Sequence, residues 1–476
     1  MTRHEAWWAA GLLLVALAFR LAGLGRESLW EDEFYSLLIG SHATAGEVIR
    51  YVWFGEPHPP LHFLIVHFLL PLTGDGNFGL RLPWALMGAA TVPLYFVLLR
   101  RLVPGQFALA VLATALLAAS PMHIWYSQEM RHYPLLILLE VSVLLCLAAH
   151  ARHPHSPFPI PCSLFLSLLS LYTHYFSAFF LMVAGAVCLA AVRRNVAGRP
   201  MMIASLAAAG AATIPALIHI RARMTTLSWL PDRLTWADAP QIVQGQLIGP
   251  LYYLLPAPAY YTVAALGGAL IAVGIVAIAT SPAVPRGTRW LILGGLAATM
   301  GGPVLVSLVL RPIIFHGQRY LIIALPFVLA CVAAACVLGP RWRRIAACAM
   351  LGIMLLAQAN YLAAHYTRRQ KRTYDSAAAY LDAQMQPADR AVMIPTRAAG
   401  LMERYMKAKG RLGGAEDVTP ELLAETAAGG RLFLIAWGDP RDVLEAAGIP
   451  RARVGLMVFE ATRPGLEIWI ATISAR

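Results

Sequence analysis

Charge is scarce in this chain. Asp, Glu, Lys and Arg make up 13% of its 476 residues, while 59% are apolar. A soluble domain carries roughly 25% charged and about 45–50% apolar residues. The shortage excludes a soluble enzyme and a disordered chain. Cysteine is also sparse: the six are Cys146, Cys162, Cys188, Cys331, Cys336 and Cys348. All fall within apolar runs or at their ends, where a thiol serves as a small apolar group. The C-terminal part has none, which excludes a disulfide framework there. Internal repeats and low-complexity stretches are lacking. Acidic residues are the rarer charge, 25 against 38 basic, for a net charge of +13. Such an excess points to nucleic acid only when it forms a stripe on a soluble surface, so its location decides its meaning.

What is present in quantity is apolar runs. They lie at 7–24 and at about 79–99, 105–122, 133–150, 158–173, 174–192, 200–220, 259–280, 290–311, 320–338 and 344–363. Each approaches the roughly 20 residues that cross a hydrocarbon core of about 30 Å. Only helices or closed barrels satisfy their backbone in lipid, and runs this long mean helices. The expected fold is a polytopic α-helical membrane protein with about 11–13 transmembrane helices. No Ala-x-Ala site follows the first run, so it reads as a retained span rather than a cleaved signal. The segment Pro59–Leu72, about 14 residues long, suits an interfacial or re-entrant helix better than a span; if it crosses, the count of spans rises and the topology upstream changes.

The basic excess now has a place. Arg100-Arg101, Arg152, Arg193, Arg194, Arg199, Arg286, Arg289, Arg341, Arg343 and Arg344 follow alternate runs, and Arg3 agrees with them. With eleven alternating spans they share one side, which the positive-inside rule makes the cytoplasm. The expectation is a multi-pass membrane protein. Its N-terminus is cytoplasmic and everything after Ala363 is outside. The basic residues set orientation, and no nucleic-acid partner is expected.

The tail changes composition. Strands are predicted at Arg390–Ile394, Arg431–Ala436, Val454–Phe459 and Leu466–Ile473. Helices are predicted at Tyr374–Ala383, Gly400–Lys409 and Pro420–Ala428, with Gly413-Gly414 and Gly429-Gly430 as breaks. The chain therefore divides into a membrane domain, 1–363, with a long first outer loop, 25–58, and a small α/β extracytoplasmic domain, 364–476.

The outer loops carry the chemistry-bearing residues. Glu31-Asp32-Glu33 places three carboxylates shortly after a span, where desolvation and like charge raise one another's pKa. They read either as a general base or cation site facing a cavity, or as an ordinary hydrated loop. Gln128-Glu129-Met130-Arg131-His132-Tyr133 sets an arginine at the mouth of a span. It can grip a phosphate in a bidentate fork or simply snorkel. His58 before Pro59-Pro60, His174-Tyr175, and His316 with Arg319-Tyr320 add polar groups at the same ends of the spans. Two carboxylates and two arginines would suit a base that activates an acceptor beside an anionic donor.

These pieces occur in a familiar order. Leu29-Trp30-Glu31-Asp32-Glu33, His58-Pro59-Pro60-Leu61-His62-Phe63-Leu64, Gly79-Leu80-Arg81-Leu82-Pro83-Trp84, Ser127-Gln128-Glu129-Met130-Arg131-His132-Tyr133, Thr173-His174-Tyr175-Phe176 and Gln318-Arg319-Tyr320-Leu321 follow one another along the chain. Over about residues 7–340 the sequence resembles the bacterial glycosyltransferase family 39 type, related to dolichyl-phosphate-mannose protein mannosyltransferases and to the aminoarabinose transferases of lipid A. These are membrane glycosyltransferases of the GT-C fold.

The resemblance implies transfer of a sugar from a polyprenyl-phosphate donor to an extracytoplasmic acceptor, with the lipid bilayer as a partner. It implies Asp32 as the catalytic base with Glu33 beside it. It places Arg131 and Arg319 near the lipid phosphate, with His58, Glu129, His174, Tyr175 and Tyr320 around them. His58 departs from relatives that carry lysine there. Ala43–Trp53 would be a juxtamembrane helix. No Asp-x-Asp occurs in the second loop, so no obligatory cofactor or metal is expected, although a divalent cation serves some members. The competing readings are a transporter or flippase of lipid-linked saccharides and a non-catalytic assembly protein. A transporter would show matched, interrupted spans, which the sequence lacks.

Overall fold

A computed structural model describes residues 2–153, 156, 158–194, 199–223, 238–249, 254–310, 319–407, 410–415, 431–446, 454–459 and 465–473. The apolar runs are helical. In chain order the helices are α1 (Arg3–Leu21), α2 (Glu31–Gly40), α3 (Ala45–Gly55), α4 (Leu61–Thr73), α5 (Asn77–Leu102), α6 (Phe107–Ala118), α7 (Pro121–Ser127), α8 (Tyr133–Arg152), α9 (Pro159–Thr173), α10 (Ser177–Arg194) and α11 (Arg199–Arg223). They continue with α12 (Asp238–Leu247), α13 (Ala257–Thr280), α14 (Arg286–Leu296), α15 (Gly302–Leu310), α16 (Leu325–Val337) and α17 (Arg341–Thr367). A π-helical turn, Ala297–Gly301, joins α14 to α15, and a 3₁₀ turn, Arg319–Ala324, leads into α16.

Among the described residues eight helices are long and apolar enough to cross a membrane, or nine if α6 and α7 form one broken span. Three shorter apolar helices, Leu61–Thr73, Pro159–Thr173 and Ser177–Ala190, add to these. The chain is a multi-pass membrane protein. The run expected at about 105–122 does not continue straight through Ser120. Ser120 caps α7 by accepting from His123 N–H, and Pro121 occupies its first position, so the chain resumes a helix at a 48° bend. Fully buried Arg20 holds the break, donating to Ala118 O at 3.1 Å and Leu117 O at 3.4 Å, with His123 Nδ1 at 2.6 Å.

The chain forms two compact units. The first comprises 1–24, 36–75 and 79–363. At its centre is α16, where every residue from Leu325 to Cys336 is buried. Small residues let α13 approach it closely. A Cβ on Gly274 would lie 2.0 Å from Cys331 O, whereas one on Gly268 would meet nothing within 4 Å. Close helix approach through glycine is a packing device of membrane bundles. Gly274→Ala is therefore expected to destabilise this unit by about 1–3 kcal/mol, seen as a lower melting temperature in detergent. Gly268→Ala should leave the melting temperature within the spread of surface changes, about 0.5 kcal/mol.

The second unit comprises 25–35, 76–78 and 364–476. Arg26 ties its first segment to the end of α17, donating to the carbonyls of Tyr366, His365 and Arg368. Its sheet has β1 (Arg390–Ile394), β2 (Leu412–Gly414), β3 (Leu432–Ala436), β4 (Val454–Phe459) and β5 (Ile468–Ile473) in the order β2-β1-β3-β5-β4. β1 runs parallel to β2 and β3, and β5 runs antiparallel to β3 and β4. Four of the five strands match the sequence expectation within two residues. β2 does not, because Gly413-Gly414 reads as a break and is instead a short edge strand. The helices α18 (Tyr374–Gln384) and α19 (Ala399–Tyr405) are present, and the predicted helix Pro420–Ala428 lies outside the described residues. Central β3 is the core strand, with Leu432, Phe433, Leu434 and Ile435 all buried.

Two carboxylates anchor this unit. Asp389 accepts from Gln386 N and Arg431 N, each at 2.8 Å, and pairs with the Arg431 guanidinium at 2.8 Å. Asp375 pairs with Arg369 at 2.6 Å and accepts from Ser28 Oγ at 2.9 Å. Burial pushes both carboxyls up, but these donors outweigh it and hold both below the usual carboxylate range. A depressed folded-state pKa contributes stability above the unfolded value, near 3.9, and loses it as pH falls through the folded value. The unit is expected to lose stability on acidification below about pH 4. Asp389→Asn should lower its stability at pH 7 and flatten that acid limb, as read by hydrogen exchange of the β-sheet amides in the full chain.

Candidate functional site

Each unit gathers a polar cluster. In the second unit the carboxylates occupy the first turn of α2, where acidic side chains meet the positive end of the helix dipole. Glu33 is fully buried and pairs with Lys371 Nζ at 3.3 Å. Lys371 also lies 5.7 Å from the centroid of the Trp30 ring. Glu31 accepts from Arg372 at 3.0 Å and from Tyr374 Oη at 2.6 Å. Trp437 Nε1 donates to the same phenol oxygen at 3.0 Å, and Arg372 stacks 4.1 Å from the centre of the Trp437 indole. Burial, then the Glu31 charge, push the Tyr374 phenol well above its usual range. Glu31 and Glu33 are thus fixed by cations, and half-buried Asp32 stands between them in sequence. Lys371 and Arg372 escape notice in the sequence because they lie in a basic stretch, 368–372, that looks like an ordinary juxtamembrane cluster.

The first unit holds the second cluster. α8 begins after His132 and α9 ends before His174, and a short connection, 153–158, joins the two helices. An antiparallel pair puts the start of one helix and the end of the other together, so these two histidines meet. Their rings are 4.5 Å apart. His58 enters from the turn between α3 and α4, where two prolines break the helix. Its ring is 5.3 Å from His132 and 5.6 Å from His174. Glu56 Oε1 lies 2.5 Å from His58 Nδ1. His62, in the first turn of α4, lies 5.7 Å from His132 and bonds Ser36 Oγ at 3.1 Å through Nε2.

Arg131 is 4% exposed and donates to the same Ser36 Oγ at 3.0 Å. Ser36 lies on α2, four residues after Asp32. Glu129 is buried in the turn before α8 and its carbonyl accepts from Arg131 N at 2.8 Å. Tyr320 stacks 5.1 Å from His174, and Arg319 lies 5.2 Å from the Tyr320 ring centre. Burial first, then neighbouring positive charge, lowers both His132 and His174 well below the usual imidazole range. Arg131 contributes to both, and Arg319 also weighs on His174. Arg131 directly precedes His132, and Arg319 lies against the Tyr320 ring that packs 5.1 Å from His174.

The structure thus brings His58, Arg131, His174, Arg319 and Tyr320 into one neighbourhood. Tyr175 turns elsewhere: its hydroxyl lies 2.5 Å from His219 Nδ1, and His219 Nε2 bonds Val52 O at 3.2 Å. Burial raises the Tyr175 phenol pKa. Sequence reasoning assigns no role to Glu56 or His132, although Glu56 stands two residues before His58 and His132 sits inside the quoted motif. His316 lies outside the described residues.

No model of a known protein family matches the chain, and no curated protein does. Solved structures do. The chain is similar to ArnT from Cupriavidus metallidurans bound to undecaprenyl phosphate, with TM-score 0.52 and 13% identity over 98% of each chain. The apo state of that protein gives TM-score 0.52 and 12% identity, over 99% of this chain and 98% of that one. The archaeal oligosaccharyltransferase AglB from Archaeoglobus fulgidus, in complex with an inhibitory peptide and a dolichol-phosphate, gives TM-score 0.51 and 10% identity, over 99% of this chain and 75% of that one. The fold is the GT-C fold, as the sequence resemblance implied.

Proposed function

We propose that the chain is an integral membrane glycosyltransferase that moves a sugar from a polyprenyl-phosphate donor to an acceptor outside the cytoplasm. The observation that carries this reading is the placement of two arginines around His174: Arg131 directly precedes His132, whose ring lies 4.5 Å from that of His174, and Arg319 lies 5.2 Å from the Tyr320 ring, itself 5.1 Å from His174. Two guanidinium groups among aromatic rings suit a phosphate that arrives on a lipid. An undecaprenyl-phosphate complex of a protein sharing the fold over 98% of both chains supports the choice of lipid.

The chemistry follows from the donor. Its leaving group is a phosphate, already a stabilised anion, so no general acid is needed. One carboxylate suffices to take the proton of the incoming hydroxyl or amine. We assign that role to Asp32. The acceptor heteroatom attacks the anomeric carbon, the bond to the phosphate oxygen breaks with its electron pair leaving on the phosphate, and the configuration inverts. Arg131 and Arg319 bind the phosphate as its charge grows, while His58, Glu129 and Tyr320 shape its surroundings. Glu33, held by Lys371, fits an orienting role. In this reading the membrane domain is 1–363, the tail 364–476 is extracytoplasmic, and the N-terminus faces the cytoplasm of a bacterial inner membrane.

The test is consumption of an undecaprenyl-phosphate-linked sugar by purified protein in detergent with a panel of lipid and peptide acceptors. Transfer with release of undecaprenyl phosphate is the expected result. Movement of intact lipid-linked sugar across vesicles without transfer would overturn it in favour of a flippase.

A further inference from the structure

We propose that His58, His132 and His174 form a binding site for one divalent transition-metal ion of the zinc class. One nitrogen from each ring lies within 4.8 Å of the others. Three imidazole nitrogens about 2.0–2.1 Å from a tetrahedral ion stand roughly 3.3 Å apart. Rotations of the three side chains, moving each nitrogen on the order of 1 Å, close that gap.

Two further observations point to a ligand. His132 is 1% exposed, yet its Nε2 has no hydrogen-bond partner among the described residues. A buried polar atom without a partner costs about 1–3 kcal/mol, and an ion in the cluster would satisfy it. Glu56 Oε1, 2.5 Å from His58 Nδ1, is the carboxylate–histidine arrangement that orients metal-binding imidazoles. It fixes the proton on Nδ1 and leaves the Nε2 lone pair to ligate. The remaining contact is the 3.1 Å hydrogen bond from Phe176 N–H to His174 Nδ1. It orients that ring in the metal-free chain, and ligation through either nitrogen of His174 breaks it.

Imidazole donors suit zinc, copper, iron and nickel rather than magnesium or calcium. Three protein ligands leave a fourth position open. Arg131 and Arg319 already bring positive charge here, and an added dication is accommodated where an anion joins it. The fourth position is therefore assigned to an anionic oxygen such as that of a phosphate. This last assignment rests on the donor-phosphate reading, whereas the ion itself does not.

The test uses the full chain in detergent, stripped with chelator and titrated with Co²⁺ alone, with no donor present. One Co²⁺ per chain with a visible ligand-field band, displaced by Zn²⁺, is expected. His132→Ala and His174→Ala should abolish the band, Glu56→Gln should weaken binding about 10- to 100-fold, and exposed His4→Ala should bind as the wild type. X-ray absorption of the Zn²⁺-loaded wild type should show three imidazole nitrogens, a readout independent of whether the variants fold. Absence of Co²⁺ binding by the folded wild type, or a shell without three imidazoles, overturns the site. A Co²⁺ band unmoved by inorganic phosphate overturns the anionic fourth position. Transfer measured in excess chelator separates this question from the glycosyltransferase reading. Full transfer by a chain that binds no metal sinks the site and leaves the enzyme intact.

Discussion

Asp32→Asn is expected to lower kcat for sugar transfer by about 10²–10⁴-fold, the usual contribution of a positioned general base, with little change in the KM for the lipid donor. Asparagine keeps the shape and hydrogen-bonding reach of the side chain but cannot take a proton at neutral pH. The predicted split follows from the assignment: Asp32 acts on the acceptor's proton, so donor binding should survive its loss. Glu33→Gln should behave differently. It removes the partner of Lys371, which is 8% exposed and bonded to Glu33 at 3.3 Å. Leaving a buried ammonium unpaired is strongly destabilising, so the cost should appear in thermal stability as well as in rate. Both variants are checked by single-turnover transfer together with unfolding in the same detergent. Wild-type transfer by Asp32→Asn would remove it as the base.

The fold could be read from the sequence because a bilayer allows so few solutions. Long apolar runs have to be helices, and the eleven runs are helical in the described regions. The prolines at 59 and 60 also mark where α4 begins and why it is short. Tail strands were legible through their β-branched, apolar composition, but β2 was not: three residues, two of them glycine, give no periodicity. The break between α6 and α7 was missed because Ser-Pro signals a helix start as readily as a loop, and only the buried carbonyl contacts of Arg20 show that two helices meet there. In the site, motif order singled out His58, Arg131, His174, Arg319 and Tyr320, which do come together. Tyr175 shares the motif of His174, but adjacent residues point apart, and it bonds His219 instead. Lys371 is more than 300 residues from Glu33, and that pairing comes from tertiary folding. Glu56 and His132 gain their meaning from the ring packing of three separate turns.

Arg131→Ala and Arg319→Ala are each expected to reduce kcat/KM for the lipid donor by about 10²–10³-fold, the range found when one donor to a developing anion is removed. The two should differ in detail. Arg131 is nearly sealed from solvent and is positioned by Ser36 Oγ at 3.0 Å, so its fork is held in a fixed direction. Arg319 leans on the face of Tyr320 and is half-buried. A lysine carries the charge without the planar fork. Arg131→Lys should therefore recover little activity, because bidentate geometry is lost along with the Ser36 contact. Arg319→Lys should recover more, since a charge above an aromatic ring needs no fork. If the arginines grip the phosphate only as it departs, the loss falls in kcat. If they also bind it in the ground state, donor KM rises too. Steady-state transfer over a range of undecaprenyl-phosphate-sugar concentrations, with a fixed saturating acceptor, separates the two. Unchanged kcat/KM in both alanine variants would detach the arginines from the donor phosphate and with it the reading built on their placement around His174.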